Sequence, residues 1–159
     1  MAAPDIVMYE EEFNEIKRVI SKLRIDANAK VVFLVDKNGQ LIASSGQAQN
    51  LDTTSLASLT AGNVAAMGGL AKLIGEKEFP NQFHEGERES LHMSIVGGRV
   101  VLVVIFDAKS SLGLVRLRVK KAGEELARVF ESLAKKQATP GAQSPFAEIT
   151  DDDIDNLFS

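Results

Sequence analysis

The 159-residue sequence contains no cysteine. Disulfides, thiolate metal sites and cysteine nucleophiles are excluded together, and a reducing, intracellular compartment is the natural expectation. Only two histidines occur, His84 and His92; two imidazoles without a third ligand make a poor metal site. With so few bases a serine triad is hard to assemble, and no G-x-S-x-G elbow is present. A GxxxxGK[ST] phosphate loop is also missing, and Gly68-Gly69-Leu-Ala-Lys72 falls inside a helical pattern instead of at a strand-to-helix turn. The chain is therefore not a nucleotide hydrolase of that type. No stretch of about 18 apolar residues offers a membrane span. The start Met1-Ala-Ala-Pro-Asp5 has neither the basic nor the apolar region of a secretory leader, so a cytoplasmic protein is expected. No catalytic residue, cofactor or metal site is expected; Asp151, Asp152 and Asp153 are consecutive and lack the spacing of a calcium loop.

What is present has the make-up of one ordinary soluble domain: 45% hydrophobic and 25% charged residues. A chain of about 150 residues buries roughly 68–70% of its unfolded surface, enough for one core but not two. Charge is unevenly placed. The formal net charge is −4, yet the segment from Pro140 to Ser159 alone contributes Glu148, Asp151, Asp152, Asp153 and Asp155 with no base, leaving the rest near neutral. Duplex nucleic acid requires a concentrated cationic footprint. Arg116, Arg118, Lys120 and Lys121 are the only candidate, and they read as the solvated side of a helix.

Phe13, Ile16, Ile20 and Leu23 form one stripe at 3.6-residue period, so a helix is expected over about 9–25. Strands are expected at 30–36 and 40–44, joined at Asn38-Gly39 by a tight turn with positive φ angles. Asp52, Thr53, Thr54 and Ser55 offer caps to a helix running to about Gly75. Further strands read at 79–85, 91–96 and 100–106; the last, Val100 to Phe106, is apolar throughout and belongs in the centre of a sheet. Pro80 marks 79–85 as an edge strand. Ser110 or Ser111 can cap a final helix whose stripe runs from Leu112 through Leu126 to Leu133 and fades at Lys135-Lys136. The expected fold class is α+β, α-β-β-α-β-β-β-α, with a five-stranded antiparallel sheet and helices on both faces. The expected divisions are an N-terminal arm (1–8), one domain (9–136), a linker (137–149) and an acidic amphipathic segment (150–159).

Two elements read as surfaces for partners. In the helix after Asp52, Leu56, Leu59, Met67, Leu70 and Ile74 are expected to form the core stripe, leaving Ala61, Gly62, Ala65, Gly68, Gly69 and Lys72 opposite. Three glycines in a helix interior cost on the order of 3 kcal/mol relative to alanine, so close approach by another backbone is the expected compensation. A kink at Gly68-Gly69, or packing of the small side within the same domain, is the alternative. In the tail, Thr150 can cap a turn containing the three aspartates, after which Ile154, Leu157 and Phe158 stand at i, i+3, i+4. Such a short helix is marginal alone and suits ordering against a groove.

Long stretches of the chain resemble the Roadblock family: Asp26 to Gly39, Leu56 to Lys72, Phe79 to Gly86 and Pro145 to Phe158. The resemblance is to the bacterial polarity regulators of that family, which act on a Ras-like GTPase of the MglA type. It implies strand order 2-1-5-4-3 and a homodimer joined at the third strand, with Phe79, Asn81 and Phe83 at the dimer edge. It implies GTPase contacts at Ala61, Ala65, Gly68, Gly69 and Lys72 on paired second helices. It further implies stimulation of GTP hydrolysis by favouring the GTPase's catalytic conformation, without an inserted arginine finger. Ile154, Leu157 and Phe158 are then a second partner contact that modulates nucleotide exchange, other polarity proteins are possible partners, and the protein regulates cell polarity and gliding motility, concentrated at a cell pole. The alternative is a scaffold that recruits a GTPase without changing its hydrolysis rate.

Overall fold

The structure, a computed structural model, describes residues 9–47 and 51–138. Its elements run α1 (Glu10–Asp26), β1 (Val31–Asp36), β2 (Leu41–Gly46), α2 (Thr53–Leu73), β3 (Asn81–His84), β4 (Ser90–Val96), β5 (Val100–Phe106) and α3 (Leu112–Ala138). All strand pairs are antiparallel, in the order β2-β1-β5-β4-β3. The unbroken apolar runs of β1 and β5 are buried along their whole length, as central strands covered on both faces must be.

Because side chains alternate across a sheet, β1, β4 and β5 feed two cores. Val32, Leu34, Val96, Leu102, Val104 and Phe106 meet α1 and α3 in the larger one, around Ile16, Ile20, Val115, Leu126 and Leu133. Val31, Phe33, Val35, Met93, Val101, Val103 and Ile105 meet α2 in the smaller one. Each fully buried aliphatic side chain contributes roughly 1.5–3 kcal/mol relative to exposure. The larger core therefore dominates stability, and α2 is the least heavily anchored helix.

The caps follow the sequence. Asp52 accepts from the Ser55 amide at 3.0 Å, and Ser111 accepts from the Leu114 amide at 3.2 Å. The β1–β2 turn differs from expectation: Gly39 alone has positive φ, 90°. Asp36 accordingly holds the turn by accepting from the Asn38 and Gln40 amides, both at 2.9 Å, and a bulge at Leu34/Val35 shifts the register. The third strand is also shorter than the sequence suggests, Asn81–His84 instead of 79–85, since Pro80 lacks an amide hydrogen.

The two sheet edges are finished differently. Along β2, α1 lies close enough for Lys17 Nζ to donate to the Ser44 carbonyl at 3.2 Å and Arg24 Nε to the Ser45 hydroxyl at 3.2 Å. Gly46, with φ 111°, must be glycine: a Cβ there would collide with the Lys30 carbonyl and crowd Arg24. No described element covers β3.

Candidate functional site

The α2 helix contains one charged residue, Lys72, between Thr53 and Leu73. A helix lying on a sheet and otherwise facing water would carry many. Its buried residues are Ala57, Thr60 and Ala71, with Leu56 and Val64 half-buried against the smaller core. This corrects the stripe read from sequence. Leu59, Leu70 and Ile74 are 71%, 46% and 64% exposed, and Leu73 is 84% exposed. The buried side is rotated toward the small residues because β1 and β5 already present bulky side chains there, so alanine and threonine fit the interface.

The five small-side residues divide into two groups. Ala65, Gly69 and Lys72 are exposed, whereas Ala61 and Gly68 are half-buried. None of Gly62, Gly68 and Gly69 has an atom within 4 Å of the position a Cβ would occupy. The glycines thus do not answer to crowding within their own subunit, and the helix shows no positive φ that would require them. Ala61, Val64, Ala65, Met67 and Gly68 form one wall of a groove of about 190 Å³; Phe79, Gln82 and Ile95 form the other, with Lys37 and Lys77 at its rim.

This groove runs toward the uncovered edge of β3. The Ile95 amide donates to the Pro80 carbonyl at 2.9 Å, and β3 pairs with β4 at Gln82↔Met93 and His84↔Leu91. Alternation of antiparallel pairs then turns the amide and carbonyl groups of Asn81 and Phe83 away from β4. Phe79 lies before the strand, as a wall of the groove. The Phe83 ring turns to the opposite face and stacks on Phe106 at 6.1 Å.

The two histidines do not converge. In the β3–β4 register Phe83 faces His92 and His84 faces Leu91, so the imidazoles project from opposite faces. His92 is buried and its Nδ1 has no hydrogen-bond partner; burial, followed by the nearby Arg116 charge, lowers its pKa below the ordinary histidine value. Among the described residues no group of three His, Cys, Asp or Glu side chains could hold a metal ion. No described helix is long and apolar enough to cross a membrane. The tail contacts at Ile154, Leu157 and Phe158 lie outside the described residues. What the sequence did not flag is the exposure of Leu59, Leu70 and Leu73; the near absence of charge in α2 is the signal that could have found it.

Comparison with known proteins bears on the family and the fold. The chain is 77% identical to Myxococcus xanthus MglB, whose solved structure superimposes with a TM-score of 0.77 over 80% of this chain and 96% of that one. The gliding protein MglB of Thermus thermophilus is 34% identical, with a TM-score of 0.77 over 82% of this chain and 99% of that one. An uncharacterized protein of Methanocaldococcus jannaschii, MJ1340, is 30% identical over 115 residues, 72% of this chain and 99% of its own length. The Roadblock/LC7 domain matches residues 15–106, over the same helix and strand order, and the chain belongs to the Roadblock/LC7 family.

Proposed function

We propose that this protein is a homodimeric regulator of a Ras-like GTPase of the MglA type, and that it stimulates GTP hydrolysis by binding the GTPase in its catalytic conformation. The observation that carries the reading is α2: a helix with one charge, open glycines and three exposed leucines, with exposed Ile74 at its C-cap, beside an unpaired strand edge. Pairing of β3 with its counterpart through the outward groups of Asn81 and Phe83, with Phe79 beside them, continues the sheet into the second subunit and brings two α2 helices together. The groove lined by Ala61, Val64 and Gly68 is then covered by that subunit, with exposed Ala65 at its outer lip. Ala65, Gly69 and Lys72 remain on the outer surface as GTPase contacts, with Ala61 and Gly68 beside the seam.

Side-chain-poor surfaces act here by shape. A partner shifts a conformational equilibrium only as far as it binds one state better, and a flat ledge accepts a switch segment lying close and rejects one that protrudes. The chain supplies no catalytic group in this scheme: Arg116 and Arg128 stand on α3, across the sheet from α2. The domain spans 9–136; α3 continues two residues further, to Ala138, and the rest of 137–149 serves as a linker. The 150–159 segment reaches the GTPase through Ile154, Leu157 and Phe158 and modulates exchange. In the cell the protein acts in the cytoplasm, at a pole, in control of polarity and gliding motility.

The test is phosphate release by the cognate GTPase over a range of regulator ratios, with wild type, Ala65→Arg and Gly69→Arg. Acceleration by wild type and its loss in both variants, with dimer mass unchanged and a melting temperature no lower than that of wild type, is expected. Acceleration that survives both substitutions assigns the wrong face. Binding without acceleration selects the scaffold reading.

A further inference from the structure

We propose that the acidic C-terminal segment docks in cis on the first half of α3, over Leu117 and the cations around it. Between Leu112 and Lys121 the helix carries Arg116, Arg118, Lys120 and Lys121 and no acid; beyond Ala122 it mixes both signs. Arg116, Lys120 and Lys121 form no ion pair among the described residues. Asp26 and Glu125 lie on the α1 side of Lys121, along the cleft between α1 and α3.

Leu117 sits among these cations with 62% of its surface exposed. Its neighbours three and four residues away are half-buried Leu114, Gly113, Lys120 and Lys121. A Cβ on Gly113 would meet nothing within 4 Å, so the helix is open beside the leucine. The patch is a small apolar spot with a cationic rim. The chain's own complement to it is the segment ending at Ser159: Asp151, Asp152, Asp153 and Asp155 around Ile154, Leu157 and Phe158, with no base after Lys136.

The tether allows it. From Leu117 to Ala138 the helix is about 32 Å long at 1.5 Å per residue. The stretch from Ala138 to Ile154 spans at most about 55 Å when extended and about 20–24 Å as a flexible chain. The segment therefore reaches back along α3 without full extension, and the linkage makes binding intramolecular. Because α3 lies on the sheet face opposite α2, a docked tail is held away from the surface assigned to the GTPase. Docking and GTPase contact become alternatives for one segment. This consequence rests on the proposed function; the docking itself does not.

The experiment uses the full chain with spin labels at Glu124→Cys and Ser159→Cys, the only cysteines present, and measures the distance between them by pulsed electron resonance without GTPase. Docking gives a narrow peak below about 20 Å, Glu124 being about 10 Å along the axis from Leu117; an undocked tail gives a broad distribution centred near about 30 Å. The peak should be lost with Leu117→Asp, with Lys120→Glu/Lys121→Glu, and in 1 M salt. Adding Asp152→Lys/Asp153→Lys to the lysine double variant should restore it, and circular dichroism should show each variant folded. A broad distribution in wild type, or a peak indifferent to residues 117, 120 and 121, overturns the proposal. So does a peak that disappears when labelled protein is diluted with unlabelled protein, since the tail would then sit on another subunit. A broad distribution combined with Lys120-dependent and Lys121-dependent binding to phosphatidylserine vesicles overturns it in favour of a membrane surface.

Discussion

Replacing Gly62 and Gly69 by alanine should stabilise the protein, and on the proposed function the change at Gly69 should weaken GTPase binding. Both residues are exposed, and both have open space where the methyl group would go. Alanine in a helix interior is favoured over glycine by roughly 0.5–1 kcal/mol, through the conformational freedom glycine loses on folding. The two sites are about 10 Å apart along the axis, so their effects should add. The double variant should therefore gain about 1–2 kcal/mol, and at about 2–4 °C per kcal/mol for a chain of this size its melting temperature should rise by roughly 2–8 °C. Calorimetry and urea unfolding of both single variants and the double measure this. Gly46→Ala is the opposite control, since its positive φ and the Lys30 carbonyl forbid a Cβ, and it should lower the melting temperature. Titration of each variant with the GTPase supplies the second readout: on the proposed function weaker binding is expected from Gly69→Ala, where the methyl group lifts the partner off the ledge, and not from Gly62→Ala, which is no proposed contact. If neither single variant melts higher than wild type, the glycines do not occupy the open positions assigned to them.

His92 makes stability depend on pH. Its folded-state pKa lies below the unfolded value, so its contribution is fully present above about pH 6.5 and is lost as pH falls, because the unfolded chain takes up the proton first. The slope from this one group is at most about 1.4 kcal/mol per pH unit, and urea midpoints between pH 7.5 and 5 should show a dependence that His92→Phe reduces; an identical dependence in the variant would refute it. Asp36→Ala removes the acceptor of two turn amides and should cost about 1–3 kcal/mol in urea unfolding, whereas Asp36→Asn, which keeps the acceptor oxygen, should cost less. Equal losses in the two would show that the turn does not depend on that oxygen.

Most of the fold is legible in the residues because α1 and α3 have one charged side each and β1 and β5 are apolar but for Asp36 at the end of β1. Ile16, Ile20, Val119 and Leu126 are buried where a 3.6-residue period puts them, and Val100 to Phe106 could only be central. The second helix misleads for the same physical reason that makes it interesting. A period search assumes that large apolar residues point inward, and Leu59, Leu70 and Leu73 point outward while Ala57, Thr60 and Ala71 fill the narrow space above the sheet. The near absence of charge in α2 signals that some of its apolar residues are left for another molecule, but the period alone does not say which leucines those are. The β1–β2 turn misleads on a smaller scale: Asn38-Gly39 has the composition of a two-residue hairpin, but the Asp36 carboxylate and the Leu34/Val35 bulge impose another geometry. The small-residue positions, by contrast, are identifiable because glycine in mid-helix is an expense that composition alone exposes.

The unequal finish of the two sheet margins has a consequence for growth. Ribbon-like polymers of sheet proteins need two sticky sides, one to receive the next molecule and one to offer onward. Here Lys17 takes the Ser44 carbonyl and Arg24 the Ser45 hydroxyl on one side, so strand-to-strand joining is favoured on the other. If β3 meets its own counterpart, as proposed above, the joint is two-fold and leaves no free β3 margin, so growth by strand pairing stops there and fibres of that kind have nowhere to start.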